Sequence, residues 1–142
     1  MQFKYQEKPI ENLKENYYRR TKGGNNSFKN FEDFKKWYNS QNKICHYCGL
    51  TEQESQEIVM TGILTSNRFP QNGKRGRGQG RGVWLEVDRI NPEENYSASN
   101  CVLCCYFCNN DKSDVFDGKE YKSFRENRAN YLRKLIKSAH GK

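Results

Sequence analysis

Three pairs of cysteines, each with two residues between its members, limit what this chain can fold into more than any other feature. The pairs are Cys45/Cys48, Cys101/Cys104 and Cys105/Cys108. Only 34% of the 142 residues are hydrophobic, so apolar side chains alone provide little material for a core. Two thiolates on a tight turn can bind one tetrahedral zinc ion, and zinc binding at such sites contributes directly to folding. The cysteines therefore predict a small fold that zinc stabilises.

The sequence predicts a protein of the cytoplasm, a compartment in which thiols stay reduced and disulfides are rare. The N-terminal segment MQFKYQEKPI lacks the apolar stretch of a secretory signal. No apolar run approaches the roughly 18–20 residues of a membrane-spanning helix. We therefore expect a cytoplasmic protein that does not act at a membrane, in which cysteines are metal ligands first and buried thiols second.

The first half of the zinc site is predicted at Cys45 and Cys48. Gly49 follows this pair and relaxes the backbone of the turn, so both sulfur atoms can face one ion. His46 is an alternative fourth ligand, but two complete cysteine pairs already fill a tetrahedral shell.

The second half of the site is predicted at Cys105 and Cys108, with one zinc ion per chain. Side chains three residues apart on a strand point to opposite faces, which disfavours Cys101 with Cys104. Cys105 and Cys108 instead lie where a predicted strand gives way to a helix, a geometry that lets two sulfur atoms converge. We expect Cys101 and Cys104 to be small buried hydrophobic residues.

Periodicity and capping residues predict helices on both sides of two short strands. An N-terminal helix follows Pro9, and a second helix begins after Asn30 with its aromatic residues on one side. The strands are predicted at Val83–Ile90 and Asn100–Cys105. A last helix, from about Lys119 to Ala139, has a basic face and an inward face, the latter formed by Tyr121, Phe124, Tyr131, Leu132, Leu135 and Ile136.

The charge of the chain indicates a polyanionic partner. The formal net charge is +8 at pH 7. Residues 74–82, KRGRGQGRG, form a predicted Gly/Arg loop in which glycines permit close approach while arginines reach phosphates. A flexible, solvated loop is the alternative. We expect the nucleic-acid contacts to come from Arg75, Arg77, Arg81 and Lys112.

The segment from Leu85 to Lys112 carries a more specific pattern. Val-Asp-Arg-Ile at 87–90 is followed by Asn100 and then by C-x-x-C-N-x-x-K. This pattern resembles the HNH, or ββα-metal, endonucleases, in which two strands and a helix surround one catalytic cation. The likeness covers roughly Phe28 to Phe116, and Arg89 stands where the family usually has a histidine.

The resemblance implies the fold and its division along the chain. The expected class is α+β, with a small zinc-stapled ββα-metal core and flanking helices. We expect a single nuclease domain over residues 1–142. It would comprise a helical N-terminal arm at 1–42, the zinc and ββα core at 43–116 and a basic C-terminal helix at 117–142.

The resemblance also implies site residues. Asp88 and Asn109 are expected to bind catalytic Mg²⁺ or another divalent cation, leaving positions open for water and a phosphate oxygen. Asn100 is expected to hold the loop between the strands. Arg89 cannot act as a base, because a guanidinium has only donors and no acceptor, but it can stabilise charge on phosphate. Tyr47 is expected to orient phosphate or handle a proton; packing over the zinc cluster is its alternative role.

These features predict a metal-dependent DNA endonuclease, with Arg in place of the usual base histidine. We expect a type II restriction-type enzyme from a prokaryotic or phage source, acting as a homodimer on double-stranded DNA. A homing or phage-type nicking nuclease is the first alternative. A zinc-containing nucleic-acid-binding module without catalysis is the second.

Overall fold

Two short antiparallel strands and one helix lie at the centre of the fold, with further helices around them. The computed structural model describes residues 3–125 and 127–141, and the side chains of all of these except 124 and 125. No helix in this part of the chain is long and apolar enough to cross a membrane. The elements are α1 (Ile10–Lys22), α2 (Phe31–Ser40), α3 (Glu52–Met60), β1 (Glu86–Arg89), β2 (Cys101–Cys104), α4 (Tyr106–Lys112), α5 (Gly118–Arg125) and α6 (Arg128–His140).

The strands β1 and β2 form the sheet, and α4 follows β2 almost directly. Glu86 lies opposite Cys104 and Arg89 lies opposite Cys101 in the antiparallel register. Because side chains alternate along a strand, Glu86 and Asp88 share one face, and side chains of α4 contact this face. This order of elements is the predicted ββα arrangement, so the predicted α+β class is confirmed.

β1 is shorter than the predicted strand Val83–Ile90. Side chains of α3, and not a neighbouring strand, satisfy the backbone of residues 82–85. The bonds run from Ser55 Oγ to the Gly82 carbonyl oxygen (2.7 Å), from Gln56 Nε2 to the Val83 carbonyl oxygen (3.0 Å) and from the Leu85 amide to Glu52 Oε1 (2.9 Å). All three α3 side chains are buried. Polar side chains of α3 therefore bond to this backbone, where the predicted strand would have had a partner strand.

The two N-terminal helices begin close to the positions that Pro9 and Asn30 indicated. Pro9 immediately precedes α1, and the Asn30 side chain accepts a hydrogen bond from the Asp33 amide at the start of α2 (2.9 Å). Tyr17 of α1 packs its ring against Phe31 and Phe34 of α2, with centroids 5.7 and 5.6 Å apart. These large rings bury much surface per residue, which compensates for the small number of apolar residues.

The predicted C-terminal helix is divided into two helices. α5 packs against α4, whereas α6 packs against α3 and buries Ala129 and Leu132. The inward position predicted for Tyr131 is wrong, because its side chain is 60% exposed. The same prediction for Phe124 concerns a side chain outside the described residues.

Four buried cysteines converge where the 45–48 turn meets the start of α4. The sulfur atoms of Cys45, Cys48, Cys105 and Cys108 all lie within 4.8 Å of one another, and those of Cys48 and Cys105 are 3.8 Å apart. Zinc–sulfur bonds of about 2.3 Å in tetrahedral geometry place two sulfur atoms about 3.8 Å apart. The cluster fits a zinc ion, and these are the four cysteines that the sequence predicted.

The remaining two cysteines belong to the core. Cys101 and Cys104 lie on β2 and are 5% and 0% exposed. Burial raises the pKa of the Cys101 thiol to about 11 and also raises the pKa of Cys104. Both residues therefore remain neutral thiols at physiological pH and pack as small hydrophobic side chains, as predicted.

Removal of zinc is expected to unfold the protein. Zinc binding at such sites contributes on the order of 10 kcal/mol, which is comparable to the whole stability of a domain, about 5–15 kcal/mol. Cys105→Ser should lose the ion, and its circular dichroism should show loss of helix at a temperature where the wild type is folded.

Cys104→Ser is the matched control, since it makes the same chemical change one residue away. It should lower the melting temperature by burying a hydroxyl group but should keep one zinc per chain by elemental analysis. A chelated protein with the native spectrum and melting temperature would contradict the stabilising role of zinc.

Candidate active site

The face of the sheet that α4 covers carries two acids. Glu86 and Asp88 are two residues apart on β1, and Asn109 and Lys112 are three apart on α4, so each pair shares one side of its element. Asn109 Nδ2 donates to Glu86 Oε1 (2.7 Å), and Lys112 Nζ lies 3.2 Å from Asp88 Oδ2. The interface of β1 and α4 therefore holds two carboxylates, an amide and an ammonium group.

The carboxylate of Asp88 is buried between two donors. Its side chain has little access to water, and Oδ2 accepts a hydrogen bond from the Tyr47 hydroxyl (2.6 Å) and pairs with Lys112 Nζ. Burial raises the pKa of Asp88, because the loss of water disfavours the charged form, while Tyr47 and Lys112 act in the opposite direction. The negative charge of Asp88 thus depends on these two partners.

Lys112 lies in a different place from the one predicted. Its side chain is fully buried, and Nζ donates to the carbonyl oxygens of Arg89 (3.0 Å) and Ser113 (3.4 Å) besides pairing with Asp88. A buried ammonium group is stable only with such partners. The predicted contact between Lys112 and DNA is therefore corrected: the residue neutralises Asp88 inside the protein.

Glu86 is a site residue that the sequence analysis missed. It accepts from Asn109 and also forms a two-bond ion pair with Arg81, whose Nε and Nη2 lie 2.7 and 2.8 Å from the two Glu86 oxygens. A signal for it was available, since an acid two residues before Asp88 on a predicted strand shares its face. Arg81, a predicted phosphate contact, is thereby held against β1.

The predicted cation ligands, Asp88 and Asn109, make no hydrogen bond to each other within the described residues. Asn109 donates its amide nitrogen to Glu86, which leaves Oδ1 as the acceptor, and no described group donates to that oxygen. Carboxylate and amide oxygens are the donors that a hard cation such as Mg²⁺ takes, with water completing its shell. The donor set fits a divalent cation, and the assignment of Asp88 and Asn109 as its ligands remains a prediction.

Tyr47 connects the zinc turn to Asp88. Its side chain is buried, its ring packs edge-on against Tyr121 with centroids 5.2 Å apart, and its hydroxyl donates to Asp88. A Cβ at Gly118 would lie 2.7 Å from the Tyr47 hydroxyl oxygen, so glycine is needed there. Burial, together with the bond to Asp88, raises the pKa of Tyr47, which therefore keeps its proton.

The guanidinium of Arg89 lies against an aromatic ring. It is 4.9 Å from the centroid of Tyr96 and donates to the Glu94 carbonyl oxygen (3.3 Å). The guanidinium of Arg20 on α1 lies 5.0 Å from the same centroid. Tyr96 therefore interacts with two cations, a contact between distant parts of the chain that the sequence did not indicate.

Asn100 holds the loop between β1 and β2. Its Oδ1 accepts from the Asn91 amide (2.9 Å), and its Nδ2 donates to the carbonyl oxygens of Asn91 (3.0 Å), Glu94 (3.4 Å) and Asn95 (3.1 Å). One buried amide thus satisfies several backbone groups of the loop. The Glu94 carbonyl oxygen also accepts a hydrogen bond from the Arg89 guanidinium. The position of Arg89 therefore depends on this loop.

The two histidines do not replace the histidine that the motif lacks. His140 is on α6, where Nε2 lies 2.5 Å from Glu57 Oε2. His46 is exposed beside Tyr47, and partial burial and the charge of Lys122 lower its pKa. No histidine among the described residues bonds to Asp88.

The arginines of the Gly/Arg loop differ in how they are held. Arg81 is paired with Glu86, and the Arg75 guanidinium lies 4.6 Å from the ring centroid of Trp84. Arg77 is exposed. All three remain candidates for phosphate contacts, two of them fixed by the protein and one extended into solvent.

Comparison with protein-family models and with curated proteins found no match. Among solved structures, the chain is similar to PacI, described as a rare-cutting HNH restriction endonuclease with an extraordinary mechanism of DNA perturbation. The identity is 28%, the TM-score is 0.63, and the match covers 84% of this chain and 75% of PacI. The resemblance to HNH endonucleases that the sequence predicted is confirmed, and it supports a nuclease of the HNH type.

Proposed function

We propose that this protein is an endonuclease that hydrolyses phosphodiester bonds of double-stranded DNA with Mg²⁺ or another divalent cation. The observation that carries the proposal is the interface of β1 and α4, where Asp88 bonds to Tyr47 of the zinc turn and Asn109 bonds to Glu86, the partner of Arg81 in the Gly/Arg loop. The similarity to PacI supports the same class of reaction. We further propose one nuclease domain over residues 1–142 and an intracellular type II restriction-type role as a homodimer.

In this proposal, the chain holds the cation with one side chain from each element. Asp88 would contribute a carboxylate oxygen and Asn109 the Oδ1 that Glu86 leaves without a donor. When bound, the cation supplies electrostatic stabilisation of the phosphate and the leaving oxygen and lowers the pKa of a water molecule. Tyr47 and Lys112 would keep Asp88 ionised and oriented toward this position.

Arg89 would bind a non-bridging phosphate oxygen in place of acting as a base. Its guanidinium stays protonated and presents a planar set of donors. The ring of Tyr96 and the Glu94 carbonyl oxygen restrict where this group can lie. Such restriction matters because a charged donor stabilises the transition state best when it is already positioned.

Tyr47 would act as a positioning residue and not as a base. Its hydroxyl donates a hydrogen bond to Asp88, and burial raises the pKa of the hydroxyl, so the neutral phenol is strongly favoured. The sequence left open whether Tyr47 orients phosphate, handles a proton or packs over the zinc cluster, and its hydrogen bond to Asp88 supports the proposal that it orients the carboxylate.

The ion pair between Lys112 and Asp88 favours a second candidate function. A buried ammonium group already neutralises the carboxylate that the cation requires, as it would in a DNA-binding module that has lost catalysis. Incubation of supercoiled plasmid with and without Mg²⁺ separates the two candidates. Cleaved plasmid only with Mg²⁺ supports the endonuclease, whereas intact but retarded plasmid supports the module. Open circles without linear product would indicate a nicking enzyme.

Asp88→Asn is expected to abolish cleavage while DNA binding and zinc content persist. The substitution removes the proposed anionic ligand, leaves the exposed arginines in place and preserves the side-chain volume. Plasmid cleavage with Mg²⁺ and duplex binding without it are measured on the same preparation. Asp33→Asn, the same change on the exposed start of α2, is the control. Cleavage by Asp88→Asn at the rate of the control would contradict the assignment.

Tyr47→Phe is expected to reduce cleavage by about 10-fold to 100-fold, as for other groups that orient a metal ligand. The bond from Tyr47 lowers the pKa of Asp88, so its loss raises that pKa. Because the ionised carboxylate is required, the acidic limb of the pH–rate profile should move to higher pH. Tyr38→Phe is the matched control, since that buried hydroxyl has no hydrogen-bond partner in the described structure. An unshifted pH–rate profile would indicate that Tyr47 only packs in the core and does not affect the ionisation of Asp88.

Arg89→Lys is expected to reduce the cleavage rate by about 10²–10³-fold, because lysine keeps the charge but loses the fixed donor geometry. Tyr96→Leu should reduce the cleavage rate less than Arg89→Lys does. Tyr96→Phe keeps the aromatic ring and should recover most of the rate that Tyr96→Leu loses. In the Arg89→Lys background, Tyr96→Leu should add little, since the two residues act together. Arg133→Lys on α6 is the control. Additive losses in the double variant would show that Tyr96 does not act through Arg89.

A further inference from the structure

A groove of about 790 Å³ separates α1 from the Gly/Arg loop. β1 and Trp84 lie between these two walls, and Glu86 and Asn109 also line the groove. The groove is therefore continuous with the candidate active site. The N-terminal arm had no predicted functional role, so its contribution to this surface comes from the structure alone.

The wall that α1 contributes is a single helical face. Its members occur at a spacing of three and four residues, which places side chains on one side of a helix. An adjacent side of α1 is anchored in the core by Leu13 and Tyr17. The residues of α1 that line the groove are Asn12, Glu15, Asn16, Arg19 and Arg20.

The groove carries an excess of positive charge. Six cations and two acids line it, and one of the acids, Glu86, is already paired with Arg81. On α1, Arg19 Nη2 donates to Asn16 Oδ1 (3.1 Å), which directs the guanidinium along the helix face. The opposite wall contains three glycines, so a polymer backbone can approach closely. The cations other than Arg81 are Lys8, Arg19, Arg20, Arg75 and Arg77.

We infer that α1 is a DNA-contacting element whose Asn12, Asn16 and Arg19 bind the phosphates of one strand opposite the Gly/Arg loop. Guanidinium and amide donors on one wall and arginines on the other match the repeated anions of a phosphate backbone. Because Asn109 also lines the groove, the held strand would pass the site where cleavage is proposed. The inference rests on the proposed function, which supplies DNA as the polyanion.

The test compares two single-charge substitutions on the same helix. Arg19→Gln removes a proposed phosphate contact, whereas Lys14→Gln removes one charge from a position on the far side of α1 that does not line the groove. Binding of a fluorescent DNA duplex is measured by anisotropy over a series of salt concentrations without added Mg²⁺. Zinc content and melting temperature confirm that both variants are folded.

Arg19→Gln should reduce the magnitude of the slope of log K against log salt by about 0.9, the value for one lost contact to duplex DNA. Lys14→Gln should leave the slope unchanged. The loss for Arg19→Gln should be equal on unrelated duplex sequences, since phosphate contacts carry no base information. Combining Arg19→Gln with Arg77→Gln should reduce the slope by about 1.8, one contact from each wall.

Equal slopes for Arg19→Gln and the wild type would overturn the inference, as would stronger binding of duplex RNA than of DNA. Failure of the proposed function gives a different result. If the wild type leaves plasmid intact with Mg²⁺ but Arg19→Gln still lowers the salt slope, the endonuclease proposal fails and the role of α1 stands. If plasmid is cleaved and the slope is unchanged, only the role of α1 fails.

Discussion

The four-cysteine cluster is the constraint on which the candidate site depends. Cys45 and Cys48 lie on either side of Tyr47, and Cys108 directly precedes Asn109. A zinc ion in this cluster would therefore fix, through a few covalent bonds, both the hydroxyl that donates to Asp88 and the helix that faces it. A core with so few apolar residues gives little rigidity of its own, so metal–thiolate bonds of defined length are an effective way to hold these groups in register.

The charge of Asp88 is balanced inside the protein and not by solvent. A carboxylate removed from water is costly, and its pKa rises unless donors compensate. Tyr47 and Lys112 supply that compensation, and the three buried groups form one unit that links the zinc turn, β1 and α4. In the proposed mechanism, a cation bound by Asp88 would share the carboxylate with Lys112. The strength of the pair between Asp88 and Lys112 would then separate an active endonuclease from a DNA-binding module without catalysis.

The sequence predicted the parts of this structure that local rules determine. The two cysteine pairs, the Asn30 cap and the aromatic face of α2 follow from spacing, and each is present. The sequence did not predict contacts between distant segments. The strand predicted at Val83–Ile90 is longer than β1. Side chains of α3 hydrogen-bond to the backbone before β1, and the residues of this segment do not by themselves indicate that contact. Lys112 was predicted to extend the DNA-binding surface of the Gly/Arg loop, and its burial becomes evident only when Asp88 lies opposite it.

The arginine at position 89 is supported by surroundings that suit a long cation. Its guanidinium reaches the ring of Tyr96 and the Glu94 carbonyl oxygen, and Asn100 holds the backbone that carries Glu94. Both contacts suit a long side chain that ends in a planar, charged donor group. If Arg89 binds phosphate as proposed, the loop that carries Glu94 and Tyr96 is part of the site, because its contacts set where the guanidinium lies.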